Sequence, residues 1–146
     1  YPGALLKDKT KMFIGKSNCD VGVFVNRGFV KASNVIVVID SEKDLFLLDY
    51  TSTLLKTTHG SASILDRSSS TTPGSEKIQY AIRQFTESAK QANLLAEKDM
   101  TPAIFNGYNF MLISYDSWND VSEHRREALQ KMPSTLILNH KERTEE

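Results

Sequence analysis

The chain has 146 residues, of which 40% are hydrophobic and 25% charged, values that suit one globular domain with an ordinary core. Its 18 basic and 18 acidic residues cancel, and no Lys/Arg run exceeds a pair, so nothing draws it generally to nucleic acid or anionic lipid. Cys19 is the only cysteine, which excludes an intrachain disulfide and a Cys-based zinc site and fits a reducing compartment.

The longest apolar run, residues 35–39, falls far short of the about 20 residues that span a bilayer. Tyr1-Pro2-Gly3 carries no initiator Met and no signal peptide, and reads as the start of a piece of a longer polypeptide.

Pro2 suits the first turn of a helix running towards Lys16, with Leu5, Leu6, Met12 and Phe13 on one face and Gly15 as its stop. Residues 19–25 then read as a β-branched strand closed by Asn26-Arg27-Gly28. Residues 34–40 form a second strand. Its core Val35-Ile36-Val37-Val38-Ile39 is apolar at every position, the pattern of a strand covered on both faces. Ser41-Glu42-Lys43-Asp44 resembles a capping box, and the helix after it turns Leu45, Leu48 and Leu55 inward. That helix ends near His59-Gly60, with Gly60 suited to the left-handed terminal position.

A short strand over residues 62–65 precedes a Ser/Thr-rich segment, residues 67–74, expected to be a flexible surface loop, with its Ser68 to Ser70 cluster a candidate for phosphorylation. Ser75 is the expected cap of a helix that buries Ile78, Ala81, Ile82, Phe85 and Ala89. A short strand is expected within residues 93–96, and Thr101-Pro102 opens a helical turn. Residues 110–113 are a densely apolar strand. A helix over residues 121–132 follows, capped by Asp120 with Glu123 three residues on and ended by Pro133. Residues 135–138 are the last strand, and the charged tail from Lys141 is expected to fray. Alternating strands and helices of this kind predict an α/β fold, a three-layer, mainly parallel sheet of Rossmann-like type with helices on both faces.

Few residues carry a chemical signature. Gly15-Lys16-Ser17 resembles the end of a phosphate loop, but Thr10 stands where that loop needs glycine and a strand follows where it needs a helix. His59, His124 and His140 lack metal-ligand spacing, so no metal is expected. Ser61, Ser63 and Ser68 to Ser70 lack a nucleophile elbow; Asp116 and Asp120 lack the Gly and Glu of a calcium loop. Trp118 suits a core or interface anchor, and Cys19 a buried structural thiol. With no nucleophile–base set, no enzyme is expected. Asp40 and Ser41 stand at the carboxyl end of the second strand, where ligands of open α/β sheets bind. Shaping the turn and capping the helix is the simpler role for the same two residues, and capping accounts for Ser41 in full.

The segment Cys19-Asp20-Val21-Gly22-Val23-Phe24-Val25-Asn26-Arg27-Gly28-Phe29 resembles a signature in the cytosolic tails of fungal and plant potassium/proton antiporters, with Asn26 in place of that family's Asp. Val35-Ile36-Val37-Val38-Ile39-Asp40-Ser41 looks like the first strand of a universal-stress-protein fold; Phe110 to Ser114 match its fourth strand and Thr135 to Leu138 its fifth. The resemblance implies a helix and strand left from a preceding half-domain (residues 1–30), a universal-stress-protein-like domain (31–140) and a charged tail (141–146).

It further implies a non-catalytic, regulatory domain attached to the transmembrane transport part of the same polypeptide. That domain would lie on the cytosolic face of a Golgi-like endomembrane, not itself inserted, as a possible homodimer with no nucleic-acid partner. Stress proteins that bind ATP carry a glycine-rich loop after the fourth strand, whereas residues 114–140 here contain no glycine, so no cofactor is expected. Asp40 matches the family's adenine-side aspartate. The alternative is a nucleotide-binding stress-type protein with a degenerate phosphate loop. The resemblance also predicts that Val21, Val23 and Val25 pair antiparallel with the strand bearing Leu136 and Leu138, within one chain or between two.

Overall fold

A computed structural model describes residues 21–29 and 31–140. The expected helix towards Lys16, Gly15-Lys16-Ser17, Cys19 and the tail from Lys141 lie outside the described residues.

Among the described residues six strands form one sheet: β1 (Val21–Val25), β2 (Asn34–Ile39), β3 (Ser61–Asp66), β4 (Ala92–Leu94), β5 (Phe110–Ser114) and β6 (Ser134–Asn139). Their order is β1-β6-β5-β2-β3-β4. Every pair is parallel except β1 with β6. Three helices join them: α1 (Phe46–Thr58), α2 (Ser75–Ser88) and α3 (Tyr115–His124), with short 3-10 turns at Pro102–Phe105 and Ala128–Lys131.

The unbroken apolar run of β2 explains the layering. Val35, Val37 and Ile39 pack with Leu47, Leu48 and Leu55 of α1 and Ile78 and Ile82 of α2. Ile36 and Val38 project to the other face, onto Trp118 and Val121 of α3 and the two 3-10 turns. A strand buried on both sides can spare no polar position. Trp118 is fully buried and belongs to the core. Among the described residues, no helix is long and apolar enough to cross a membrane.

β1 closes the β6 edge within one chain. Val21 lies opposite Asn139, Val23 opposite Ile137 and Val25 opposite Thr135, while Gly22 and Phe24 face Leu138 and Leu136. Gly22 leaves room there: a Cβ would come within 3.1 Å of the Leu138 side chain, which would have to give by a few tenths of an ångström. Arg27 fastens the turn after β1: its backbone N–H donates to Ser134 Oγ (2.8 Å) and its guanidinium to the Leu129 and Gln130 carbonyls. Phe24 packs edge-on against Phe29, and both rings adjoin Phe110.

Several local expectations are corrected. The helix after β5 begins at Tyr115, not Val121, and stops at His124. Ser114 both ends β5 and caps α3, accepting the Ser117 N–H at 3.2 Å, so no loop separates strand from helix. Asp120 therefore sits inside α3 rather than capping it. The cap of α2 is Gly74, left-handed at φ 77°, and Ser75 is the first helical residue. The left-handed residue ending α1 is His59 at φ 55°, not Gly60. Gly60 answers a different demand: a Cβ there would stand 2.6 Å from the Ser33 carbonyl oxygen, which also accepts the Ser61 N–H at 2.9 Å. Residues 67–74 are not uniformly solvated either. Ser68 is buried, its N–H and hydroxyl both donating to Asp66, because parallel β3 delivers them beneath the start of that loop.

Two neighbouring substitutions should act in opposite directions in urea unfolding. Gly60→Ala is expected to destabilise by about 1–3 kcal/mol, because it drives a methyl into backbone. His59→Gly is expected to stabilise by up to about 1 kcal/mol, because glycine carries no Cβ penalty in the left-handed region.

Candidate functional site

From β2 the chain winds outward to β3 and β4, then returns to the other side of β2 as β5 and β6. The reversal lies between β2 and β5, and open α/β sheets bind ligands beyond the carboxyl ends of the strands at such a point. Asp40 and Ser41 leave β2 here, and Ser114 leaves β5, so the sequence-predicted pair does stand at the switch point.

Asp44, within the 3-10 turn Glu42–Asp44, is 2% exposed. One of its oxygens, Oδ2, accepts three hydrogen bonds: from the N–H of Asp40 at 2.8 Å, the N–H of Ser41 at 3.3 Å and the hydroxyl of Ser117 at 3.0 Å. The capping box read at Ser41 is present, but it caps this short turn, and α1 starts two residues beyond it, at Phe46. A buried carboxylate is tolerable only with donors of this kind. Here they come from the end of β2 and the first turn of α3.

Asp40 pairs with Arg67, whose Nη1 lies 3.1 Å from its Oδ2. The same guanidinium reaches Asp120 of α3 at 3.6 Å, and Asp120 in turn meets His124 at 3.1 Å. The other Asp40 oxygen is buried without a hydrogen-bond partner. Burial lifts the Asp40 carboxyl above its ordinary value of 3.8; the Arg67 charge and the nearby Ser117 hydroxyl oppose the rise, and the Asp44 and Asp120 charges add to it. Ser117 has one hydroxyl proton for two carboxylates, and its 3.0 Å contact is with Asp44. The crevice is thus filled by the protein's own charges.

Beside it lies a cavity of about 260 Å³, bounded by Lys43, Phe46, Tyr115, Asp116 and Asn139 and by His140, whose ring stacks on Phe46 at 4.8 Å. His59 ends α1, His124 lies on the exposed surface of α3, and His140 follows β6. Among the described residues no group of three or more His, Cys, Asp or Glu side chains is placed to hold a metal ion.

Sequence reasoning located Asp40 and Ser41 but not Arg67, Asp44 as a buried acceptor, or Ser117. The signal for Arg67 is the register: Ile39 lies opposite Asp66, so the next residues, Asp40 and Arg67, emerge side by side. No protein-family model matches the chain, and comparison with curated proteins and with solved structures finds no match.

Because Asp40 binds its proton more tightly folded than unfolded, it contributes stability below its ordinary value that is lost as pH rises through the raised folded value. Comparing urea unfolding of wild type and Asp40→Asn across that range, the wild type should lose stability relative to the variant as pH rises; parallel curves would refute the assignment. Ser117→Ala removes one of three donors to Asp44 and should cost about 1–3 kcal/mol.

Proposed function

We propose that this chain is a non-catalytic regulatory domain of a cation/proton antiporter, acting through surface contacts instead of turnover. The observation that supports it most directly is the occupied switch point. Arg67 lies against Asp40 where a bound nucleotide base would need that carboxylate, and Ser117 is committed to Asp44. After β5 the chain enters α3 at once through Ser114, with no glycine from residue 114 to 140, so backbone amides cannot close around a triphosphate. On this reading the domain acts on its surroundings by differential contact with the states of a partner.

The antiporter assignment rests on the resemblance of Cys19 to Phe29, and the universal-stress-protein type on the strand order and Asp40. On this reading the partner is the transport part of the same polypeptide, and the domain faces the cytosol beneath a Golgi-like membrane.

Titration calorimetry with ATP and with AMP, with and without magnesium, should give no saturable heat; tight binding would favour a nucleotide-binding stress-type protein. In vesicles carrying the full-length parent, deleting residues 31–140 should retain potassium/proton exchange but shift its dependence on pH or ion concentration. Unaltered exchange would sink the regulatory role.

A further inference from the structure

The sheet's second edge, formed by β4, shares no residue with the Asp40–Arg67 and Asp44–Ser117 pairs. Ala62 N–H donates to the Gln91 carbonyl (3.0 Å) and Leu95 N–H to the Ile64 carbonyl (2.9 Å). Residues 91 and 95 therefore bond inward to β3, and strand alternation turns the N–H and C=O of Leu94 towards the open side. Leu94 is also 52% exposed, an apolar side chain on an edge that no other described strand pairs. Its register partner is Ile64, which packs on the α1–α2 face, so Leu94 stands beside α2.

Between Leu94 and α2 runs a groove of about 340 Å³. Ile82 and Leu94 supply its apolar lining, while Arg83, Lys98 and Asp66 supply its charge. Asp66 is buried and held by Ser68, and Lys98 approaches it at 3.7 Å. Among the described residues, the exposed Arg83 guanidinium has neither an ion pair nor a hydrogen bond. Two cations against one buried carboxylate leave the rim positive above an apolar floor.

We propose that this edge docks an extended, acidic peptide segment of a partner protein. The segment's main chain pairs with Leu94. One of its apolar side chains covers Leu94 and Ile82, and a carboxylate on the next residue of the same face meets Arg83. A bare phosphate would satisfy Arg83 but leave Leu94 in water, and a purely apolar strand would leave the cations unmatched; only a segment that carries apolar and acidic side chains in turn along one face uses both. The inference rests on the surface-contact reading only in taking the occupant to be a protein.

The probe is a short, capped, fluorescent peptide repeating Val-Thr-Glu-Thr, so that one strand face carries valine and glutamate in turn, with its Val-Thr-Lys-Thr counterpart as control, read by anisotropy and by amide NMR of the whole chain. The acidic peptide should saturate, shift the Leu94 amide and slow its hydrogen exchange. Arg83→Glu, on an exposed helix face, should weaken binding by about tenfold or more, and Leu94→Asp should abolish it. Absent saturation, equal binding of the lysine peptide, or equal binding by Arg83→Glu overturns the proposal. Self-association that Leu94→Asp removes would overturn it too, naming a second copy as the occupant. None of these outcomes touches the nucleotide crevice, so failure here stays distinct from failure of the non-nucleotide reading.

Discussion

Asp44 carries its carboxylate into the interior, and three donors converge on one of its oxygens. Two of them are consecutive backbone amides at the end of β2; the third is a hydroxyl from α3, 73 residues on in the sequence. The local pair fixes how the chain turns off the sheet. The distant one fixes where α3 sits above that turn. Since α3 grows out of β5 without a loop, fixing its first turn also constrains the spacing of β2 and β5 at their carboxyl ends. A buried carboxylate deprived of donors is far costlier than any one hydrogen bond is stabilising, so this junction resists rearrangement more than its contact area suggests.

The Asp40–Arg67 pair follows from that geometry. With the turn after β2 held by Asp44, Asp40 emerges beside Arg67 at the end of β3, and α3 brings Asp120 to the far side of the guanidinium. One cation then serves two carboxylates, while one oxygen of Asp40 has no donor. Burial is what raises the Asp40 proton affinity, and Arg67, shared with Asp120, offsets it only in part. A ligand that sought the Asp40 carboxylate would have to displace Arg67 from it.

The strands and layers were legible because their signals are local. Five successive apolar residues from Val35 to Ile39 need cover on both sides, and the Ile78, Ala81, Ile82, Phe85 spacing marks one helical face. The junctions were less legible because one residue can serve two elements. Ser114 closes β5 and opens α3, and reading Asp120 as a cap required a loop that the chain does not have. The Gly60 case shows another limit. Its neighbour Ser33 is distant in sequence, so tertiary crowding, not turn chemistry, explains the glycine. Arg67 and Ser117 were invisible for the same reason. Each acts on a residue of another element, and only strand register and helix placement reveal the partner.

The two sheet edges meet the hazard of unpaired backbone differently. At one end β1 folds back against β6, and Arg27 ties the following turn to Leu129, Gln130 and Ser134. At the other, β4 is kept to three residues, short enough to limit indiscriminate strand addition. Shortness does not remove the attraction of an exposed leucine beside an unpaired arginine; it only narrows what can use them. A partner must bring main-chain pairing, apolar contact and negative charge together, because three backbone positions alone offer too little. On the docking proposed for this edge, selection is by composition: a strand that lacks any one of the three gains little from the other two.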